Sequence, residues 1–396
     1  MHERARVRKR GAEERARPYV TTIPVTIAPY SQKDIPAVKE FNRRLRTAGV
    51  PKDYVFSESP VPRWLPRDEG AQVYDEYFLA LEGDAVRGAF ALKHQEFSFG
   101  GARAHVVYYH HPFGEGIIDR KYAHVGSHML MYAARAHPLL FALGMGGYDR
   151  PLPRMLMALG WEHCWIPMYF RVNHPARFLR NMRKLRNSAG KRLLADIAAF
   201  SGVGWAVSKI VQARTGRLGM RAVRVEAAAE FGDWADEIWD DCGAAYSMIA
   251  VRDGKNLRTL YPLANENFTR LKVSLGGRAI GWAVIADTQR RGHEEYGDLR
   301  VGTILDGLAR PQHARLVTGA ASRVLLDHGV DVVISNQSHE AWQRALRQCG
   351  FLPARSNSVL AVSKKLSERI QPFAEAARRC HINRGDGDSL MPYAYL

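Results

Sequence analysis

The stretch that decides the fold runs from Glu115 to Trp161 and reads EGIIDRKYAHVGSHMLMYAARAHPLLFALGMGGYDRPLPRMLMALGW. Its opening apolar run, Gly116 to Asp119, predicts a strand, and the loop from Arg120 to Val125 comes next. A helical pattern begins at Gly126, at the end of the loop. A second apolar run and a second helical pattern come after it. A glycine stop closes the last helix. The stretch therefore predicts the order strand, loop, helix, strand, helix.

The loop in this unit is typical of a phosphate-binding turn. A turn between a strand and a helix leaves backbone N–H groups without partners, and the helix dipole favours an anion there. We therefore predict that the loop holds a pyrophosphate. The candidate cofactor-binding residues are Ile117, Ile118, Asp119, His124, Val125, Gly126 and Ser127.

A second stretch, Gly302 to Phe351, repeats this order of elements. Ile304-Leu305-Asp306 lies 187 positions after Ile117-Ile118-Asp119, and Gly350-Phe351 lies 190 positions after Gly160-Trp161. Because the offset is nearly constant over about 45 residues, the pattern predicts two copies of one unit.

Composition and charge limit the class of protein. With 396 residues and 46% hydrophobic content, the chain is long enough for two folded domains. The net charge of +17 is concentrated outside the repeated units, because residues 1–17 contribute +4 and residues 174–221 contribute +10. The four scattered cysteines favour reduced packing residues over disulfides or a zinc site. The N-terminus shows no apolar core of a signal peptide, and no stretch has the apolar length of a membrane-spanning helix.

Strands precede the strand–loop–helix unit in both halves, which predicts an α/β fold with mixed (α+β) sheets rather than a doubly wound dinucleotide fold. We expect Glu162 to Val172 to close the first half and Ser356 to Ser363 to close the second. The predicted organisation is a disordered basic tail (1–19), a first domain (20–172), a basic helical linker (173–222), a second domain (223–366) and a C-terminal tail (367–396) with one helix and a disordered end.

The linker carries an amphipathic helical pattern. Its apolar residues recur at steps of three or four from Phe178 to Phe200, and basic residues surround them. Two interpretations are open: a connecting helix packed on a domain, and a helix within residues 177–209 that lies in the surface of an anionic membrane. The second would place a cytoplasmic protein at the inner face of the membrane.

Both halves resemble the GNAT N-acyltransferase superfamily, and the duplication resembles the tandem-GNAT Fem-type aminoacyl ligases. The resemblance covers residues 20–172 and 223–365. In the family, the loop carries Arg or Gln, two residues, Gly, one residue, then Gly or Ala, and its amides hold the pyrophosphate of coenzyme A. These positions run from Ala123 to His128 here and retain Gly126, whereas the second loop, Arg310 to Arg315, has no glycine. The resemblance therefore implies acetyl-CoA or a longer acyl-CoA as co-substrate, bound by the first domain.

The resemblance also implies a proton donor for the departing thiolate. In the family this is a tyrosine four residues before the closing Gly-Phe, but Leu156 and Leu346 stand at these positions. Tyr148, just before the first of these helices, is a candidate replacement, and a packing role is the alternative.

Acyl transfer to an amine also needs a base and donors for the carbonyl oxygen. The first half offers His110, His111 and Glu115 before the loop, and an imidazole can act as a base at neutral pH. The offset of 187 places Asp298 at the position of His111 in the second half. A salt-bridged or solvated surface role is the alternative for these groups. No further cluster completes a coordination shell, so no metal is predicted.

The leading hypothesis is a bacterial-type N-acyltransferase that moves an acyl group from acyl-CoA to an amine acceptor, either a small molecule or an envelope or polysaccharide (glycan) precursor. An alternative is a Fem-like ligase that takes aminoacyl groups from tRNA, which the degenerate loops and the basic linker favour. A third hypothesis is non-catalytic: two transferase folds that act as a binding or scaffolding module, favoured by the absence of both tyrosines.

Overall fold

The computed structural model describes residues 24–51, 54–182, 222–293 and 296–387. Its strands are β1 (Thr26–Pro29), β2 (Tyr74–Glu82), β3 (Ala85–Phe99), β4 (Ala102–Gly114), β5 (Leu140–Gly144), β6 (Glu162–Trp165), β7 (Met168–Val172), β8 (Val223–Ala227), β9 (Met248–Ala250), β10 (Thr269–Leu275), β11 (Arg278–Gln289), β12 (Arg300–Ala309), β13 (Val332–Asn336), β14 (Leu352–Ala354), β15 (Val359–Val362) and β16 (Cys380–His381). Its α-helices are α1 (Ile35–Thr47), α2 (Val125–Ala136), α3 (Pro151–Ala158), α4 (Pro175–Asn181), α5 (Asp233–Cys242), α6 (Gly254–Leu260), α7 (Ala314–Asp327), α8 (Glu340–Gln348), α9 (Lys364–Ser367) and α10 (Phe373–Ala376).

The strands form two mixed sheets, which confirms the predicted α/β class. The first has the order β1-β2-β3-β4-β5-β15-β6, with β9 beside β3 and β16 beside β9. The second has the order β8-β10-β11-β12-β13-β7-β14. In each sheet a parallel pair, β4 with β5 or β12 with β13, follows an antiparallel series, and β9 with β16 is a further parallel pair in the first sheet. A parallel pair needs a crossover connection, and α2 and α7 supply it.

The two halves exchange a strand. β7 lies between β13 and β14 of the second sheet, whereas β15 lies between β5 and β6 of the first. The prediction that Ser356 to Ser363 closes the second half is therefore wrong. Of the segment from Glu162 to Val172, β6 lies at the edge of the first sheet as predicted, whereas β7 belongs to the second. The chain leaves the first sheet between β6 and β7, at Pro167. An alternating pattern shows that a strand has a buried face, but it does not specify the sheet that the strand joins.

The strand predicted from Gly116 to Asp119 is also wrong. β4 continues to Gly114, and residues 115–117 and 120–122 form single 3₁₀ turns. The polar groups of this stretch are used within the turns: the carboxylate of Asp119 accepts a hydrogen bond from the backbone N–H of Lys121 at 2.9 Å. Two adjacent isoleucines resemble a strand in sequence, but here they lie in a pair of tight turns.

Strand pairing gives a different register between the halves. Gly88 of β3 pairs with Gly114 of β4, and Gly281 of β11 pairs with Ala309 of β12. Each of these glycines lets its strand pack closely on a crossover helix. A Cβ on Gly88 would lie 2.8 Å from Val125 of α2, and a Cβ on Gly281 would lie 2.6 Å from Val317 of α7. Gly114 therefore corresponds to Ala309, an offset of 195 positions rather than 187.

The expected C-terminal tail is part of the interior as far as residue 387. β16 pairs with β9, and a 3₁₀ turn at Arg384–Asp386 follows. Cys380 and Ile382 are fully buried, and Asn383 is 1% exposed. This stretch is too short to show a helical or alternating period, so the sequence carried no signal for its burial.

The basic linker is described only at its ends. α4 packs its Phe178 ring against Phe170 of β7, with ring centroids 6.0 Å apart. The amphipathic pattern of residues 183–221, and with it most of the membrane hypothesis, lies outside the described residues. Within the described ranges, no helix combines the length and the apolar character needed to cross a bilayer.

Candidate functional site

A wedge opens in the first sheet between β4 and β5. The two parallel strands pair at two positions, the last being Tyr108 with Phe141, although β4 continues to Gly114. The Tyr108 hydroxyl donates to the carbonyl oxygen of Leu143 at 3.1 Å, across the start of the wedge. Beyond this point β4 and β5 form no ladder with each other, so the facing edge of β4 is suited to an extended ligand.

A bulge redirects the side chains along the wedge. His111 has a φ of 48°, and the register shifts there, so that Ala91 faces His110 but Ala89 faces Phe113. Before the bulge the side chains alternate: His110 lies on the face that α1 covers, and Tyr109 lies on the face that α2 covers. A left-handed conformation is uncommon for a residue other than glycine, and bulges often re-aim a side chain beside a functional site.

Asp75, His110 and His111 form a chain of polar groups on the α1 face. Oδ1 of Asp75 lies 3.3 Å from Nε2 of His110, and Nδ1 of His110 lies 3.2 Å from Nδ1 of His111. The carboxylate only accepts, so it selects the His110 tautomer protonated at Nε2; Nδ1 of His110 then accepts from His111. In the neutral form of His111 the proton then lies on Nδ1, and Nε2 carries the lone pair that a general base requires.

Asp75 could not be identified as a site residue from the sequence. It lies 35 positions before His110 and is brought beside it only by the antiparallel pairing of β2, β3 and β4. Asp75 is 1% exposed and His110 is 5% exposed, whereas His111 is half-buried. The buried pair can therefore orient the more accessible ring.

Glu115 is buried and lies in an ion-pair network whose other side chains are partly exposed. Its carboxylate oxygens accept from Nε of Arg44 at 2.6 Å and from Nη1 of Arg87 at 2.8 Å, and Arg87 also binds Glu82 at 2.7 Å. Both oxygens are committed, so this geometry favours a structural role, in which Glu115 ties the turn after β4 to α1 and β3.

Tyr148 lies on the opposite face of the sheet from His110. Its ring packs edge-on against His163 and Trp165, with centroids 5.2 and 4.6 Å away, and burial raises the pKa of its hydroxyl. With Leu156 and other apolar side chains it lines a shallow apolar depression. These contacts favour a packing role for Tyr148 over a role as proton donor.

Asp298 lies at an exposed loop tip, where its carboxylate accepts from the backbone N–H of Gly292 at 2.7 Å. The corrected register places Asp306 at the position of His110, because Val284 faces Asp306 as Ala91 faces His110. The offset of 187 had matched Asp298 to His111 because it relied on a strand that the structure replaces with turns.

The wedge of the second sheet is filled by the chain's own C-terminal segment. The backbone N–H of Ser338 donates to Ile382 at 2.9 Å, and the side chain of Asn383 donates to Asp306 at 2.7 Å. Arg252, which is 2% exposed, forms ion pairs with both Asp306 and Asp386, at 2.7 Å and 2.6 Å respectively. The counterpart of the first wedge is therefore closed by hydrogen bonds and a buried ion triad.

The predicted cofactor loop is open at Gly126. A Cβ there would meet no heavy atom within 4 Å, and the backbone is helical, so neither packing nor conformation requires glycine. A Cβ on Gly114 would lie 3.8 Å from the Gly126 nitrogen, which places the end of β4 beside the first turn of α2. Nε2 of His124 is buried without a hydrogen-bond partner. Open space beside a helix start and an unsatisfied imidazole fit a phosphate group.

The other predicted cofactor residues have varied surroundings. Val125 is fully buried, Ile118 packs on the α1 side, and Ile117 is 55% exposed. The Ser127 hydroxyl donates to the carbonyl oxygen of His124 at 2.8 Å, and Asp119 caps its own turn. Across the described part of the chain, no group of three His, Cys, Asp or Glu side chains is placed to hold a metal ion.

Comparison with known proteins gives matches in structure alone. No family model and no curated protein matches the chain. N-myristoyltransferase from Saccharomyces cerevisiae, solved with myristoyl-CoA and inhibitors, matches with a TM-score of 0.51 at 10% sequence identity. The matched region covers 92% of this chain and 85% of the myristoyltransferase chain. A GCN5-related N-acetyltransferase from Anabaena variabilis has a TM-score of 0.48 at 10% identity, covering 85% and 72%. A probable N-acyltransferase from Enterococcus faecalis has a TM-score of 0.48 at 9% identity, covering 88% and 75%. The fold of this chain is therefore similar to that of the N-myristoyltransferase.

Proposed function

We propose that this protein is an N-acyltransferase that takes an acyl group from a coenzyme A thioester, bound in the wedge of the first sheet, and transfers it to an amine. The observation that carries the proposal is the wedge after Tyr108, which leads along β4 to the open first turn of α2 at Gly126. The matching strand orders of the two sheets support two copies of one unit, of which the first binds the donor.

The length of β4 fits this donor. Gly114 and Tyr109 are five residues apart, or about 16 Å along the strand at about 3.3 Å per residue. The pantetheine arm between the pyrophosphate and the sulfur has about twelve bonds, or about 15 Å when extended at ordinary bond lengths. A pyrophosphate at Gly126 would therefore place the thioester beside Tyr109 and His110.

His111 is the proposed general base. The acceptor amine must lose a proton as its nitrogen attacks the thioester carbonyl carbon, and an imidazole unprotonated at Nε2 can take it. Asp75 and His110 are positioning residues in this scheme, since they set the tautomer and the ring orientation of His111. Asp386 and Asn383 in the second wedge support a donor site restricted to the first half.

The acceptor class in the proposal is an amine on a small molecule or on a glycan precursor. Contact with an anionic membrane surface would come from residues 177–209. That part of the proposal rests on the amphipathic pattern of the linker alone.

Calorimetric titration of acetyl-CoA and of a long-chain acyl-CoA tests the proposal. We expect the wild type to bind and Gly126→Glu to lose at least about 100-fold in affinity, since a carboxylate would occupy the space assigned to phosphate. Gln312→Glu is the matched control, because it places the same charge in the loop before α7, and its affinity should be unchanged. If the wild type binds no acyl-CoA, the donor proposal is wrong.

A further inference from the structure

The phenol of Tyr109 is buried and has no hydrogen-bond partner. Tyr109 is 1% exposed, and its hydroxyl oxygen has no donor or acceptor within reach. A buried hydroxyl without a partner is destabilising relative to a satisfied one, so such a group in a folded protein needs an explanation. The residue stands on β4 directly after the last pairing with β5, where the wedge begins.

The buried cluster that contains Tyr109 has one other phenol, Tyr122. Val125 and Met129 of α2 and Leu156 of α3 belong to the same buried apolar cluster. The other phenol in the cluster, Tyr122, donates its hydroxyl to Glu82 at 2.9 Å. Of the two phenols buried in this cluster, Tyr109 is therefore the one whose hydroxyl is uncommitted.

His110 and Tyr109 lie on opposite faces of one strand. His110 and His111 are associated with the α1 face, whereas Tyr109 lies under α2. A thioester in the wedge would thus have a base on one side and a phenol on the other. This division suits acyl transfer, because the amine that attacks and the sulfur that departs lie on different sides of the carbonyl carbon.

We propose that the Tyr109 hydroxyl donates a hydrogen bond to the thioester sulfur and stabilises the thiolate as it leaves. This inference rests on the proposed donor site in the first wedge. The C–N bond forms, the C–S bond breaks with its electron pair remaining on sulfur, and His111 takes the proton released by the amine. The thiolate of coenzyme A is then protonated by solvent after it is released.

A hydrogen bond is a more suitable role for this phenol than full proton transfer. Burial raises the pKa of the Tyr109 hydroxyl. The hydroxyl therefore stays protonated and acts as a fixed donor dipole, which is effective in a site from which water is excluded. Tyr108 is less suited, since its hydroxyl already donates to Leu143 at 3.1 Å.

The test is the pKa of the thiol of free coenzyme A bound to the protein. The thiolate is followed by its ultraviolet absorbance against a desulfo-CoA complex, so neither an acceptor nor turnover is needed. A hydrogen bond to the thiolate lowers the thiol pKa, and its loss in Tyr109→Phe should raise that pKa by about one unit, a tenfold change. Tyr109→Phe should fold, because it removes only an unsatisfied hydroxyl from an apolar cluster.

Tyr122→Phe is the matched control, because it removes from the same cluster a hydroxyl that is hydrogen-bonded to Glu82. It should leave the thiol pKa unchanged. Equal thiol pKa values in the wild type and Tyr109→Phe, with coenzyme A bound to both, would overturn the role of Tyr109 and leave the donor site intact. Absence of coenzyme A binding to the wild type would overturn the donor site and this inference together.

Discussion

Lys93 is a buried cation in the row of residues that crosses the first sheet. It lies between Asp75 on β2 and Tyr108 on β4, and it is 3% exposed. Its ammonium lies 5.6 Å from the Trp64 ring centroid, and its nearest acceptor is the carbonyl oxygen of Asp386 at 3.5 Å. Burial lowers the pKa of Lys93 to about 8. The group thus links the Asp75 side of the candidate site to the C-terminal segment.

The lowered pKa of Lys93 predicts a pH dependence of stability. Below pH 8 the folded and unfolded states both carry the proton, and the cost of burying the charge is fully present. Between pH 8 and about 10.4 the folded state has lost the proton that the unfolded state keeps, so this cost is relieved by about 3 kcal/mol as pH rises. The wild type should therefore gain free energy of unfolding across this window relative to Lys93→Met, which lacks the titrating group. Urea denaturation of both proteins between pH 8 and about 10.4 measures this difference. A constant difference would contradict the assignment, and Lys365→Met, at an exposed lysine, is the control.

At the scale of elements, α2 is held against β3 by one glycine and opens to solvent at another. A Cβ on Gly88 would lie 2.8 Å from Val125 Cγ1 and 3.0 Å from the carbonyl oxygen of Phe113, whereas a Cβ on Gly126 would meet nothing within 4 Å. The first glycine serves packing. We assign the second to the approach of a ligand.

Two alanine substitutions distinguish these roles. Gly88→Ala should lower the free energy of unfolding by about 1–3 kcal/mol, because it overpacks the contact between α2 and β3. Gly126→Ala should leave stability unchanged or raise it by up to about 1 kcal/mol, yet weaken acetyl-CoA binding. Denaturation and calorimetry of both variants measure this. A destabilised Gly126→Ala protein with normal acetyl-CoA affinity would show that the glycine is structural.

Element types could be predicted from the sequence wherever the period was long. The meander strands, the helix that opens at Gly126 and the helices of the second half are present, since alternation and helical periodicity report buried faces directly. The strand predicted at Ile117 and Ile118 was wrong, because hydrophobicity without alternation does not distinguish a strand from a tight turn. Asp75 could not be predicted beside His110, because the contact depends on the pairing of three strands.

At the scale of the whole molecule, the two halves are joined by shared elements rather than by a linker alone. β7 completes the second sheet, β15 completes the first, and the segment from Cys380 to Gly387 fills the second wedge. A Cβ on Gly387 would lie 3.0 Å from the Leu143 side chain, so the same segment reaches the start of the first wedge. The sheets are alike in strand order, but one wedge is closed and the other has the geometry proposed for the donor.

Hydrogen–deuterium exchange with and without coenzyme A tests this asymmetry most directly. The account predicts new protection of the backbone amides at residues 109–114 and 125–128, where the donor would lie along β4 and at the start of α2. Amides at residues 305–315, in the corresponding part of the second half, should exchange at the same rate in both states. Protection confined to residues 305–315, or no protection in either half at saturating coenzyme A, would contradict a donor site in the first wedge.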